Sequence, residues 1–216
     1  DERLLEIYNR HKDNPKIKVF TLAEVTKVNG AAGNYDVSIE LSPRYVNENC
    51  TCCGDCAAAC ETEIDSDYDF GMKKVKGAYL PFEMAFPSRY VISPQIIGTD
   101  DAQRCADACK YDAVDLAMEA KTLDLNVGAI VWATGWEPYD ATKIDNLGFG
   151  QYDNIITNMM MERLAAPNGP TKGNIVRPSD DKAPESIAFV QCAGSRDEGG
   201  NRSWLAPSCR VCGPFG

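Results

Sequence analysis

A run of closely spaced cysteines constrains this chain more than any other feature. Cys50, Cys53, Cys56 and Cys60 follow the spacing C-x2-C-x2-C-x3-C, which is the spacing of 4Fe–4S ligands in bacterial proteins. Each two-residue spacer turns the backbone around the inorganic core, and Gly54 permits that close approach. The fourth thiolate, on the short helix that follows, points toward a second cluster where a protein carries two. The run therefore predicts an iron–sulfur site.

A second pair of cysteines keeps only the back half of such a run. Cys105 and Cys109 retain the C-x3-C spacing, but Ala102 and Thr99 stand where the first two ligands of a second cluster belong. In the crossed arrangement of two-cluster proteins, the last cysteine of each run ligates the other cluster. We therefore predict one intact cluster, with two surviving ligands of a second. The ligands of the intact cluster are Cys50, Cys53, Cys56 and Cys109, and the survivors are Cys60 and Cys105.

Zinc is the alternative occupant of these cysteines, because C-x2-C pairs also form tetrahedral zinc sites. Four cysteines in this particular run, followed by a C-x3-C, favour iron and sulfide. Glu61 departs from the pattern, which usually has proline after the fourth cysteine. Cys52 is a candidate spare ligand. The candidates for a further cluster are Cys192, Cys209 and Cys212.

The composition excludes several classes of protein. The ten cysteines occur in clusters separated by long gaps, which suits ligation in a reducing compartment better than disulfide formation. A net charge of −10 without a basic stripe argues against nucleic-acid binding. The longest apolar stretch, residues 127–136, is shorter than the roughly 20 residues that span a bilayer. No arrangement of Ser, Cys and His indicates a hydrolase, so no catalytic residue is predicted.

The segment before the cysteines predicts a helix, a strand and a hairpin. Residues 2–12 have apolar side chains at helical spacing, and residues 17–28 are extended in character. A turn over residues 29–34 leads to residues 35–41, in which apolar and polar side chains alternate as in a half-buried strand. An insertion that carries the first seven cysteines follows, over residues 43–120.

The segment after the insertion predicts a return to an α/β domain. Residues 123–127 alternate again, and residues 128–135 are apolar on both faces, as in a central parallel strand covered by helices. A methionine-rich helix is predicted over residues 158–166, and another buried strand over residues 186–192. The fold class is therefore α/β, or mixed α and β.

Several segments together resemble one family, the flavoproteins that form the A-subunits of heterodisulfide reductases. Within it, the chain is similar to the branch found in the quinone-interacting membrane-bound oxidoreductases of sulfate reducers. The similarity covers residues 1 to about 198 and is jointly specific. The segments that carry it are TLAEV at 21–25, GNY at 33–35, PRYV at 43–46, VGAIVWATG at 127–135, IVRPSD at 175–180 and FVQCAGSRD at 189–197.

The resemblance implies part of an FAD protein with two dinucleotide-binding domains of the thioredoxin-reductase-like type and an inserted ferredoxin-like 4Fe–4S module. The adenine of FAD would lie near Val25 and the flavin near Ala133, Thr134 and Gly135. No G-x-G-x-x-G loop occurs in the sequence, so the phosphate-binding loop is expected upstream in a longer protein. The implied domains are 1–42 (end of the FAD domain), 43–120 (module), 121–150 (return strand of the FAD domain) and 151–216 (start of a second nucleotide-binding-type domain, with a divergent tail).

The resemblance also implies a role in electron transfer between FAD and a cluster. The implied partners are other subunits of a membrane-associated redox complex on the cytoplasmic side, with adenylylsulfate reductase as a further partner in sulfate respiration. The half-erased second run fits that branch. Two alternatives stay open, which are a zinc-stabilised docking module without electron transfer and the A-subunit of a heterodisulfide reductase itself.

Overall fold

The computed structural model describes Glu6, Ile7, Arg10 and residues 14–83, 85–135 and 138–191. The chain divides into two compact units, Asp1–Thr134 and Gly135–Gly216. Within the described ranges the fold is mixed α/β, with one three-stranded sheet, two two-stranded sheets and three short α-helices of defined bounds. Glu6, Ile7 and Arg10 are also helical, within the helix predicted at residues 2–12. The strands are β1 (Ala23–Ala31), β2 (Asn34–Leu41), β3 (Glu63–Asp65), β4 (Lys74–Lys76), β5 (Ala78–Tyr79), β6 (Val91–Ile92) and β7 (Lys121–Val127). The helices are α1 (Asp55–Ala59), α2 (Asp100–Asp107) and α3 (Asn158–Ala165).

The three-stranded sheet confirms the strands predicted on either side of the insertion. It is antiparallel in the order β1–β2–β7, with a register shift in β1 between Val25 and Lys27. Strand β1 begins at Ala23, so only the second half of the extended segment predicted at 17–28 is strand. The sheet has one central strand, β2, because β1 and β7 pair with its two edges.

The cysteine-bearing segment leaves this sheet and returns to it at one position. Leu41, the last residue of β2, pairs directly with Lys121, the first residue of β7. Between them, β3 pairs with β4, β5 pairs with β6, and an isolated bridge joins Val46 to Val114. Helices α1 and α2 pack against each other. The buried core of this module consists of Val46, Cys56, Cys60, Ala78, Ile92, Ile96, Ala102, Cys105 and Ala113.

The unit that begins at Gly135 contains the predicted methionine-rich helix as α3. The side chain of Thr157 accepts a hydrogen bond from the Met160 N–H at 3.3 Å and so begins the helix. Leu164 of this helix is buried, as is Ile144. No helix among the described residues is both long enough and apolar enough to span a bilayer.

Two predicted buried strands are wrong for the residues that the structure describes. Residues 128–135 and 186–191 are irregular, and Val131, Trp132 and Phe189 are exposed. An apolar run becomes a central strand only where neighbouring strands pair with it and helices cover both faces. No described strand pairs with either segment. Cys192, at the end of the second segment, and most of the helix predicted at 2–12 lie outside the described residues.

Candidate metal centre

Four cysteines from two distant parts of the chain line one cavity. Cys50, Cys53 and Cys56 come from the loop before α1 and from its first turn, and Cys109 comes from the turn after α2. The cavity holds about 300 Å³ of space free of atoms, part of which is open to solvent. These are the four cysteines that the crossed ligand pattern predicts for one cluster. Their role as ligands stays a prediction.

The loop that carries three of these cysteines turns sharply at Gly54. Its φ angle of 86° is in the left-handed region, and Gly54 is the N-cap of α1. A Cβ atom at this position would lie 3.3 Å from the hydroxyl oxygen of Tyr90. Glycine is therefore favoured here both by the backbone angle and by the closeness of the tyrosine.

Asn47 joins the two parts of the chain that supply the cysteines. Its N–H donates to the Ala113 carbonyl at 2.8 Å, and its Nδ2 donates to the Asp112 carbonyl at 3.1 Å. Its own carbonyl accepts from the Cys50 N–H at 3.4 Å. One residue thus fixes the start of the cysteine loop against the turn that follows Cys109. Asparagine side chains commonly form such local bonds in turns.

One thiol of the cavity, Cys56, has a raised pKa. Burial is the largest cause and the neighbouring thiols of Cys50, Cys109 and Cys53 add to it, so that against a hydrogen bond from the Ala57 backbone the pKa of Cys56 is about 11. Metal ligation removes such protons, because the thiolate is the ligand form. The Ala113 N–H donates to Cys109 Sγ at 3.3 Å. Hydrogen bonds of this kind stabilise negative charge on sulfur.

The cavity has a covered side and an exposed side. Tyr90 is half-buried, and its burial is the main cause that raises the pKa of its hydroxyl. The nearby thiols, of which Cys56 has the largest effect, raise this pKa further. Cys53 and Tyr111 are exposed. Beside them, Lys110 forms an ion pair with Asp55 at 3.1 Å.

These features fit a 4Fe–4S cluster. A 4Fe–4S cluster takes four cysteine thiolates as ligands, and hydrogen bonds to sulfur tune it. The chain supplies four cysteines on one cavity, a glycine turn in the loop that carries three of them, and one N–H donor to Cys109 Sγ. Among the residues that the structure describes, no group of three or more His, Cys, Asp or Glu side chains is already close enough together to hold a metal ion.

The other two predicted ligands, Cys60 and Cys105, form a buried pair in a filled part of the module. They are 2% and 0% exposed, so both thiols are removed from solvent. Burial, then the neighbouring Cys60, raises the pKa of Cys105 to about 12. A Cβ atom on Gly77 would lie 2.9 Å from Ile96 and 3.2 Å from Cys60 Sγ. The side chains thus pack tightly here.

Asp101 organises this filled region, although no pattern in the sequence indicates its role. Its buried carboxylate accepts from the N–H groups of Glu61 at 3.0 Å and Thr62 at 2.6 Å, from Cys60 Sγ at 3.4 Å, and from Arg104 at 2.7 Å. Hydrogen bonds from Thr62 lower the pKa of Asp101 far below its usual range, with those from Glu61 and Arg104 adding to the effect against burial.

This network gives a structural reason for the departure at Glu61. Proline, which usually follows the fourth cysteine, has no N–H and could not donate to Asp101. The acidic segment around Glu61 is balanced by basic partners. Lys76 pairs with Glu63 across β3 and β4 at 3.1 Å, and Arg104 lies 3.2 Å from Glu61.

The remaining predicted site residues lie elsewhere. Cys52 has a φ angle of 58°, and its Sγ lies 3.4 Å from Ser88 Oγ rather than in the cavity lining. Val25 lies exposed on β1. Ala133, Thr134 and Gly135 are exposed in irregular chain. The third cysteine group, Cys192, Cys209 and Cys212, lies outside the described residues.

Known proteins that this chain resembles include A-subunits of heterodisulfide reductases. It is 43% identical over 209 residues to the A-subunit of the H(2)/formate:CoB-CoM heterodisulfide,ferredoxin reductase of Methanococcus maripaludis. This alignment covers 94% of the chain and 30% of the relative. The chain is 41% identical over 204 residues to the first iron-sulfur A-subunit of the CoB--CoM heterodisulfide reductase of Methanopyrus kandleri, with the same coverage of 94% and 30%. The A-subunit of the Ferredoxin:CoB-CoM heterodisulfide reductase of Methanosarcina acetivorans is 35% identical over 230 residues, or 92% of the chain and 29% of the relative.

Over about nine-tenths of its length, the chain is homologous to heterodisulfide reductase A-subunits. It spans about 30% of the length of these relatives and so corresponds to a part of them. No protein-family model matches the chain.

Proposed function

We propose that this chain transfers electrons through a 4Fe–4S cluster held by Cys50, Cys53, Cys56 and Cys109, within a protein of the heterodisulfide reductase A-subunit type. The observation that carries the proposal is the convergence of these cysteines on one cavity from two stretches of chain joined by Asn47. The names of the relatives support it, because one of them is called an iron–sulfur subunit.

The residues of the chain have separate roles in this proposal. When bound, the cluster supplies one-electron chemistry. The four cysteines ligate it, Gly54 lets the loop approach it, and the Ala113 N–H stabilises the charge on Cys109 Sγ. Tyr90 covers one side, which limits the access of water. Exposed Cys53 marks the side nearest to solvent, where an electron would enter or leave most directly.

The electron partner within the same protein would be FAD. In this proposal, residues 1–42 and 121–150 belong to an FAD domain, residues 43–120 form the inserted module, and residues 151–216 begin a second nucleotide-binding-type domain. Val25, near the adenine, and Ala133, Thr134 and Gly135, near the flavin, are all exposed in this chain. Their exposure leaves them accessible to a cofactor whose phosphate-binding loop would lie in the longer protein.

A second candidate places the protein in a quinone-interacting complex of the QmoA type, peripheral on the cytoplasmic face of a membrane and linked to adenylylsulfate reductase. One observation favours it, which is the loss of two ligands from the second run at Thr99 and Ala102. The other candidate partners are the subunits of a heterodisulfide reductase. Reduction of the chain by menaquinol through co-purified subunits would favour the quinone-interacting complex. Electron transfer from the chain to a heterodisulfide through co-purified subunits would favour the heterodisulfide reductase.

Elemental analysis tests the proposed cluster against a zinc-stabilised docking module. The protein is reconstituted with iron and sulfide without oxygen, alongside the Cys53→Ala and Cys52→Ala variants. We expect about four iron and four acid-labile sulfide per chain for the wild type and Cys52→Ala, and much lower contents for Cys53→Ala. Zinc without sulfide in protein as isolated, or a full cluster in Cys53→Ala, would contradict the proposal.

A further inference from the structure

The phenol of Tyr90 lies close to the cysteine loop at Gly54. Its hydroxyl is 3.3 Å from the place where a Cβ atom on Gly54 would be, and both residues line the cavity. The close approach of hydroxyl and loop is possible because residue 54 is glycine. The hydroxyl is therefore held against the turn between Cys53 and Cys56.

The hydroxyl of Tyr90 has no hydrogen-bond partner in the part of the chain that the structure describes. A half-buried phenol usually finds a partner for its O–H. The thiols of Cys56, Cys52, Cys53 and Cys50 lie near enough to add to the raised pKa of this hydroxyl, and a thiol accepts a hydrogen bond well only as a thiolate or a cluster ligand. The O–H keeps its proton at neutral pH, since tyrosine titrates near pH 10 in water.

We propose that Tyr90 donates a hydrogen bond to the sulfur atoms of the cluster site and thereby raises its reduction potential. This inference rests on the proposed function, since it needs the cluster to be present. The physical reason is that reduction adds negative charge, which a donor aimed at sulfur stabilises more in the reduced than in the oxidised state. Hydrogen bonds to sulfur are among the factors that set cluster potentials. Tyr90 is thus a positioning and tuning residue, not a catalytic one.

Tyr111 provides a matched control. It also lines the cavity, but it is exposed, so water competes for its hydroxyl. The Tyr90→Phe and Tyr111→Phe substitutions each remove one hydroxyl and leave the ring. A difference in midpoint potential between the two variants therefore reports the position of the lost hydroxyl, because the aromatic ring is kept in both.

The experiment measures the midpoint potential of the reconstituted full chain by redox titration followed by electron paramagnetic resonance. We expect Tyr90→Phe to keep the wild-type iron and sulfide content with a more negative midpoint potential, and Tyr111→Phe to match the wild type. Equal potentials for Tyr90→Phe and wild type would overturn the inference while leaving the proposed cluster intact. A wild type without acid-labile sulfide would overturn the proposed function itself.

A second measurement keeps Tyr90 in place in case Tyr90→Phe does not fold. The Tyr111→Phe protein is produced with 3-fluorotyrosine, whose more acidic hydroxyl is a stronger donor. We expect a midpoint potential more positive than that of unlabelled Tyr111→Phe. An unchanged or more negative potential in the labelled protein would overturn the inference.

Discussion

The cysteine module has two ends, one at the open cavity and one at the buried pair of cysteines. Both carry cysteines of the same ligand spacing, and they differ in what surrounds those cysteines. Around Cys50, Cys53, Cys56 and Cys109, the chain leaves a cavity open to solvent. Around Cys60 and Cys105, the space is packed with apolar side chains and a buried carboxylate. Where two ligands are missing, hydrogen bonds and packing hold the chain together. Where four cysteines remain, they line one cavity.

The largest expected effect is the loss of iron and sulfide when a cysteine is removed from the open end but not from the filled end. Cys109→Ala should abolish cluster assembly, because it removes one of four ligands. Cys105→Ala, the matched control, should keep the full iron and sulfide content and lose only about 1 kcal/mol of unfolding free energy, since it leaves a small cavity. Iron and sulfide analysis with urea unfolding checks both. A cluster retained in Cys109→Ala and lost in Cys105→Ala would reverse the assignment of the two ends.

The next effect tests Asp101 as the centre of the filled end. Asp101→Ala removes the buried carboxylate that accepts from the N–H groups of Glu61 and Thr62, and hydrogen bonds to charged groups contribute about 1.5–3 kcal/mol. We therefore expect a loss of about 3 kcal/mol in the free energy of unfolding. Asp100→Ala, on the exposed side of the same helix turn, should change it little. Equal losses in the two variants would show that Asp101 has no special role.

The stability contribution of the Asp101 carboxylate is also expected to depend on pH. Because the pKa of Asp101 is lowered in the folded chain, its contribution is fully present above the unfolded value of about 3.9 and is lost as the pH falls toward the folded value. The difference in unfolding free energy between wild type and Asp101→Asn should be constant from pH 7 to about pH 5 and narrow below about pH 4. The subtraction cancels the acid sensitivity that the two proteins share. A difference that widens in acid would contradict the assignment.

The smallest effect is expected at the exposed rim of the open end. Lys110 pairs with Asp55 at 3.1 Å, but its side chain is 77% exposed, so water and salt screen the pair. Lys110→Met should leave the thermal midpoint of unfolding and the cluster content unchanged within error. A clear loss of iron in this variant would mean that the rim, and not the buried loop, holds the site together.

The sequence predicted the open end better than the filled one, for a physical reason. Ligand spacing is a local property, and the crossed use of the last cysteine follows from it, so the convergence of Cys109 on the loop was foreseeable. The role of Asp101 was not, because its donors lie some forty positions earlier and no local pattern marks them. Tyr90 was missed for the same reason.

Alternation also predicted strands more reliably than continuous apolarity. Strands β2 and β7 have one polar face, and the half-buried sheet that they form needs only each other and β1. Residues 128–135 carry apolar side chains on both faces. Such a run becomes a strand only when other strands pair with it, and none of the described strands does so. Because the chain corresponds to part of longer relatives, this dependence on other strands is visible here.

The direct pairing of Leu41 with Lys121 has a consequence for protein engineering. Because the cysteine module departs and re-enters at facing residues of one hairpin, a tight turn between them could replace it without altering the strand register. Conversely, any antiparallel hairpin of suitable width could accept the module as a graft. The cysteine module is in this sense a detachable unit, whose host needs a pair of adjacent antiparallel strands.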